Sequence, residues 1–155
     1  MRPLRAGSFA GCTLATLMFQ AAHADPGCTP AASAPKDVVG AMESLYGSLR
    51  RDDLTGFREI TTSDFHAYDG GVEFEGDALA RLVMKMHASG KLYDWSVVDP
   101  TVHVICDTAW ITYVNRGWMQ DSTGRQDMTW LESAVLQFQG GRWRVRFFHS
   151  TRAAK

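Results

Sequence analysis

The chain has 155 residues, 45% hydrophobic and 21% charged, and its 16 Lys and Arg against 17 Asp and Glu leave a net charge of −1 at pH 7. This is the length of one domain with a short extension. A near-neutral chain with no basic run gives no support for nucleic-acid binding, and no stretch beyond the N-terminal region approaches the roughly 18 uncharged apolar residues of a membrane span.

The extension is N-terminal. Arg2 and Arg5 precede an apolar run from Ala6 to Phe19, followed by Ala22-His23-Ala24 and Asp25-Pro26. A positive start, an apolar middle and a small-x-small exit are the marks of a secretory signal peptide over residues 1–24, cleaved after Ala24. The protein is therefore expected to be exported, either to the periplasm or as a secreted protein. Cleavage removes two arginines and no acid, so the net charge moves from −1 to −3. It leaves Cys28 and Cys106, which an oxidising compartment would permit to form one disulfide.

Residues 25–35, rich in Pro, Ala and Ser, read as a flexible linker, and a single domain is expected over residues 36–152. Helix one follows from Lys36 to about Arg51, capped by Ser33, with Val38, Val39, Met42, Leu45, Tyr46 and Leu49 at helical spacing. That stripe packs on a sheet, and Tyr46 can present its hydroxyl to an interior space. Asp52 or Asp53 caps a short second helix with Leu54, Phe57 and Ile60 inward. Asp64–Asp69 and Val72–Glu75 form a short hairpin about Gly70-Gly71. Helix three starts at Gly76-Asp77, carries Leu79, Leu82, Val83 and Met86, and stops at Gly90. From Lys91 the chain is strand: Tyr93, Trp95 and Val97 alternate with polar residues, Val102–Ile105 leads to a turn at Cys106–Thr108, and Ala109–Trp118 is long. In that strand Ile111, Tyr113 and Asn115 share one side and Trp110, Thr112, Val114 and Trp118 the other, and either side could be buried.

The closing stretch, Trp130–Thr151, is the most explicit. Two runs with period-two alternation flank Gly140-Gly141, which supplies the positive φ angles of a type I′ turn. With a two-residue loop, Gln139 faces Arg142 and Phe138 faces Trp143. The same register carried onward sets Glu132 opposite His149. One face then holds Trp130, Glu132, Ala134, Leu136 and Phe138 with Trp143, Val145, Phe147 and His149; the other carries Arg142, Arg144 and Arg146 toward solvent. A carboxylate beside an imidazole fixes the tautomer and raises basicity, a sensible acid/base unit. It is equally a cross-strand pair that satisfies two polar groups at the rim of a core. Three helices before a meander predict an α+β fold in which helices cover one face of a strongly curved sheet, leaving a conical pocket.

Four segments, LRRDDLTGF (49–57), DFHAYDGGVEFEGDALARLV (64–83), CDTAWITYV (106–114) and ESAVLQFQGGRWRVRFFHST (132–151), together resemble the SnoaL-like branch of the nuclear transport factor 2-like superfamily. The resemblance covers roughly Lys36–Arg152. It implies a strongly curved mixed or antiparallel sheet wrapped by three helices, a conical pocket, and a homodimer through the outer sheet face. Relatives include ketosteroid isomerase, polyketide cyclases, scytalone dehydratase, limonene epoxide hydrolase and the association domain of calmodulin-dependent kinase. Asp69, in YDGG, holds the place of the isomerase's proton-shuttling aspartate, and burial would raise its pKa. Tyr46 lies about one residue from the place of that isomerase's helix tyrosine, and no counterpart of its second acid is evident. His149 fits the terminal His-Ser of SnoaL-like chains.

His66, His87, His103 and His149 show no HxH, HExxH or CxxC spacing, so neither a metal nor a cofactor is expected. The sequence-level expectation is an exported protein that binds a small apolar or amphipathic molecule among Tyr46, Trp95, Tyr113, Trp130, Trp143 and Phe147. The alternatives are a cofactor-free isomerase, cyclase, dehydratase or hydrolase working through Asp69, Glu132 and His149, and an oligomeric association module.

Overall fold

The computed structural model describes Ala31 and residues 33–154. The expected signal peptide, its cleavage site and most of the expected linker lie outside these residues. Cys106 is disulfide-bonded; Cys12 and Cys28 are also outside them. Three helices, α1 (Ala34–Arg50), α2 (Leu54–Ile60) and α3 (Ala78–Ala88), accompany seven strands: β1 (Thr61–Asp69), β2 (Val72–Glu75), β3 (Leu92–Asp94), β4 (Val97–Ile105), β5 (Thr108–Asp121), β6 (Gly124–Gln139) and β7 (Arg142–Arg152). No helix among the described residues is long and apolar enough to cross a membrane.

The helices form where the spacing placed them. Helix α1 buries Val38, Met42, Leu45, Tyr46 and Leu49, which recur at three- and four-residue intervals and so share one side of a 3.6-residue helix. It begins at Ala34, inside the expected linker, with Pro at the first turn, and Ser33 makes no side-chain cap bond. Asp53 caps α2 by accepting from the Gly56 N–H at 2.8 Å.

The sheet is larger than the sequence suggested. Its order is β2-β1-β7-β6-β5-β3, with β4 also on β5. The early hairpin joins it because β1 pairs with β7 in parallel, so the sheet is mixed. The run Tyr93–Val97, expected as one strand, divides into β3 and β4, and the Ser96 N–H between them is taken by Asn115 Oδ1 at 3.1 Å.

The Gly140-Gly141 turn has φ angles of 59° and 79°, and the first four pairs match the expected register down to Leu136↔Val145. Beyond them the ladder shifts. Val135 pairs with Phe147, leaving Arg146 as an extra residue on β7, and every later pair moves by one: Ser133↔His149 and Glu132↔Ser150. A one-residue slip exchanges the faces of a strand. Phe148 and Ser150 therefore turn inward while Phe147 and His149 turn outward. The expected Glu132–His149 pair is not formed. The slip lies on β7, so Glu132 keeps its inward face. Phe138, also expected inside, is 46% exposed at the hairpin end.

Gly117 sets how closely the end of β3 and the residue after it approach β5, because a Cβ there would lie 1.9 Å from the Asp94 carbonyl oxygen. Gly117→Ala must push that segment away. It should lower the unfolding free energy by about 2 kcal/mol in urea titration; an unchanged midpoint would show that the segment yields without cost.

Candidate functional site

The ladders beyond the β7 bulge align inward side chains in rows. Ala67, Phe148, Ala134, Ile111 and Val102 stand abreast on β1, β7, β6, β5 and β4, and most of that row is fully buried. Two residues further along the strands the row is polar: Asp69 beside Ser150, Ser150 beside Glu132, Glu132 beside Tyr113. Tyr46 descends onto it from α1, and Asn115 reaches it from the next inward position of β5.

Glu132, 6% exposed, is the hub. Its carboxyl receives the Tyr46 hydroxyl, the Ser150 hydroxyl at 3.0 Å and the Asn115 amide at 3.1 Å to both oxygens. The Tyr46 and Tyr113 hydroxyls are 2.6 Å apart, and Asn115 also donates to the Tyr46 oxygen at 3.3 Å. Burial pushes the Glu132 carboxyl above its ordinary range even against these donors. Burial likewise raises Tyr46 and Tyr113 well above theirs, with the neighbouring carboxyl adding to it. Asp69 is raised by burial, opposed by the Ser150 hydroxyl, the Gly70 N–H and the charge of His149.

The row forms one side of a cavity of about 220 Å³. Tyr46, Asp69, Glu132 and Ser150 face it. Leu79, Leu82, Val83 and Met86 of α3, with Met128, Trp130 and Phe148 of the sheet, supply apolar walls. Tyr93 and Trp95 close a rim: Trp95 stacks on Tyr46 at 5.7 Å and on Tyr93 at 5.7 Å, nearly parallel. Arg50 holds this rim through the Asp94 carboxylate and the Trp95 carbonyl.

Of the residues singled out in the sequence, Asp69, Glu132, Tyr46, Trp95 and Trp130 meet at this cavity. Tyr113 stands behind Tyr46, bonded to it but not lining the space. Trp143 is 5% exposed and packs in the core away from the cavity. Phe147 and His149 lie on the opposite side of the sheet, where Phe147 contacts His66 and Tyr68, and His149 contacts Tyr68. His149 reaches Asp69 only as a charge across the sheet. Ser150 and Asn115 were missed. Asn115 shares strand parity with Ile111 and Tyr113, which is a usable signal once the buried side of β5 is known; Ser150 had none.

A carboxyl with a raised native pKa binds its proton more tightly folded than unfolded. Stability therefore falls as pH climbs from the unfolded value, about 4.3 for Glu, through the native one, and the loss is complete above it. Glu132→Gln, neutral throughout, should gain stability relative to the wild type as pH rises from about 4.3, the unfolded value, through the raised native one. Urea titrations at several pH values measure the difference; one that stays constant with pH would return Glu132 to an ordinary carboxylate.

No protein-family model and no curated protein sequence matches the chain. Among solved structures, an NTF2-like protein from Streptomyces avermitilis, described as a candidate dehydratase, superposes with a TM-score of 0.69 at 14% identity, over 79% of this chain and 98% of that one. The association domain of C. elegans CaMKII gives 0.65 at 20% identity, over 77% and 95%. An uncharacterised cystatin-like protein from Caulobacter vibrioides gives 0.61 at 12%, over 77% and 89%. These likenesses identify the fold of the chain as nuclear transport factor 2-like.

Proposed function

We propose that the protein, exported after loss of residues 1–24, binds a small molecule with an apolar body and one neutral oxygen. The observation that carries this reading is the cavity itself: apolar walls of Leu, Val, Met and Trp around one polar edge of Asp69, Ser150, Glu132 and Tyr46. Its volume of about 220 Å³ lies below the range of drug-sized sites, which begins at about 300 Å³. Among the described residues no Lys, Arg or His lines it, so an anionic ligand would meet no counter-charge from them, at high cost. A ligand hydroxyl or carbonyl can instead meet the Tyr46 hydroxyl and the Glu132 carboxyl. The experiment compares naphthalene with 2-naphthol, which share an apolar body, by quenching of tryptophan fluorescence. The phenol should bind about ten-fold more tightly, worth one hydrogen bond of ~1.4 kcal/mol, and Tyr46→Phe should narrow that ratio. Equal affinities would remove the polar edge from the recognition, and absence of binding by either would remove the ligand.

A second reading, catalysis, rests on Asp69, which combines contact with the cavity, a carboxyl pushed upward by burial, and the place of a proton-shuttling aspartate in the resemblance to ketosteroid isomerase. Such an acid is suited to moving a proton next to a ligand carbonyl.

Self-association is proposed through the outer face of the sheet. That face exposes Trp110 (41%), Leu131 (56%) and Tyr68 (43%), beside Phe147 and the stacked pair His103–Trp110 at 4.7 Å. The CaMKII association domains among the structural neighbours support it. Light scattering should find a dimer or larger assembly, and Leu131→Asp should shift it to monomer; a monomeric wild type ends this reading.

A further inference from the structure

We infer that Asp69 and Glu132 share a single proton through the Ser150 hydroxyl, making the polar edge of the cavity a relay across three neighbouring strands. The inference deepens the reading of that edge as the working side of the cavity and rests on it.

The argument starts from a count of hydrogens. Ser150 stands on β7 between its cross-strand partners Asp69 on β1 and Glu132 on β6. Its hydroxyl donates to Glu132 Oε1 at 3.0 Å, and Asp69, its cross-strand partner on the other side, has its carboxyl drawn down by that same hydroxyl. A serine hydroxyl carries one hydrogen and can serve only one carboxylate at a time. With both acids ionised, one of them, largely withdrawn from water, faces an oxygen that has nothing to donate. One added proton removes the conflict. If it rests on Asp69, that acid donates to Ser150 and Ser150 donates to Glu132. If it rests on Glu132, the chain runs the other way.

The two arrangements interconvert by a paired hop. The Asp69 O–H bond breaks as a new bond forms to Ser150 Oγ. The original Ser150 O–H bond breaks as its hydrogen joins Glu132 Oε1. No other bond changes, and one negative charge moves from Glu132 to Asp69. Each end is equipped for that charge. Tyr46, Asn115 and Tyr113 favour ionised Glu132; the Gly70 N–H and the His149 charge favour ionised Asp69. Among the described residues, Tyr93 of β3 also feels the Asp69 charge. Both acids line the cavity. A ligand there can lose a proton to Asp69 and receive one from Glu132, and the relay restores the starting state without drawing a proton from bulk water. Ser150 acts in this as a positioning residue.

The test is a pH titration of the full chain with ¹³C-labelled Asp and Glu carboxyls, followed by NMR. In the wild type, the Asp69 and Glu132 resonances should each show two inflections at the same two pH values, the mark of a coupled pair. Ser150→Ala should separate them into two independent single-step curves, and Ser150→Thr, which keeps a hydroxyl, should preserve the coupling. Independent curves in the wild type, or coupling unchanged in Ser150→Ala, would overturn the inference. Binding of 2-naphthol to the same sample is scored separately. Coupled titration without binding removes the ligand reading and leaves the shared proton; binding with uncoupled titration does the reverse.

Discussion

One extra residue in β7 decides what faces the cavity. The Gly-Gly turn fixes the first pairs of the closing hairpin, and without the bulge at Arg146 the strict alternation of a strand would carry Phe147 and His149 into the interior. A bulge leaves its extra residue unpaired in the ladder, which is tolerable where the residue is exposed; Arg146 is exposed and its guanidinium meets Asp64 at 2.8 Å. Past that point β7 presents Phe148 to the apolar row and Ser150 to the polar one. The β1–β7 ladder shifts at the same level, between Thr61↔Val145 and His66↔Phe147, and beyond that shift Asp69 stands beside Ser150.

The polar row also shows what burial does to a carboxyl that has been given partners. Moving an ionised carboxylate out of water costs several kcal/mol unless it is paired or neutralised. Among the described residues no cation pairs with Glu132. It has donors from Tyr46, Asn115 and Ser150, and burial still outweighs them. A site built to keep that charge would have recruited an arginine. This one shifts the carboxyl toward its neutral form relative to an ordinary carboxylate, a direction suited to proton exchange and ill suited to holding a fixed negative potential.

Much of this was legible in the sequence. The stripe of α1 placed Tyr46 inward, the Gly-Gly turn gave the start of the β6–β7 register, and Asp69 came from the resemblance to ketosteroid isomerase, whose proton-shuttling aspartate holds the same place. Glu132 followed from parity alone. At the polar row the sequence misled at the bulge, because Arg146 carries none of the glycine or turn chemistry that marks some bulges. That single shift exchanged His149 for Ser150 and Phe147 for Phe148. Asn115 was ambiguous for a different reason: β5 carries apolar or aromatic residues on both sides, since its outer side is itself partly apolar, and alternation loses its meaning there. Trp143 was correctly inward but belongs to the end of the core nearest the turn, and depth along a strand is set by tertiary packing that periodicity does not report.

The cavity walls differ in kind from its polar edge. Met86 and Met128 bring unbranched thioethers with three rotatable bonds each, which adapt to irregular shapes. Asp69, Ser150 and Glu132 are tethered to adjacent strands, with Glu132 held on several sides at once. Compliance on one side and rigidity on the other mean that discrimination follows where a guest carries its oxygen, while the outline of its hydrocarbon part is left comparatively free.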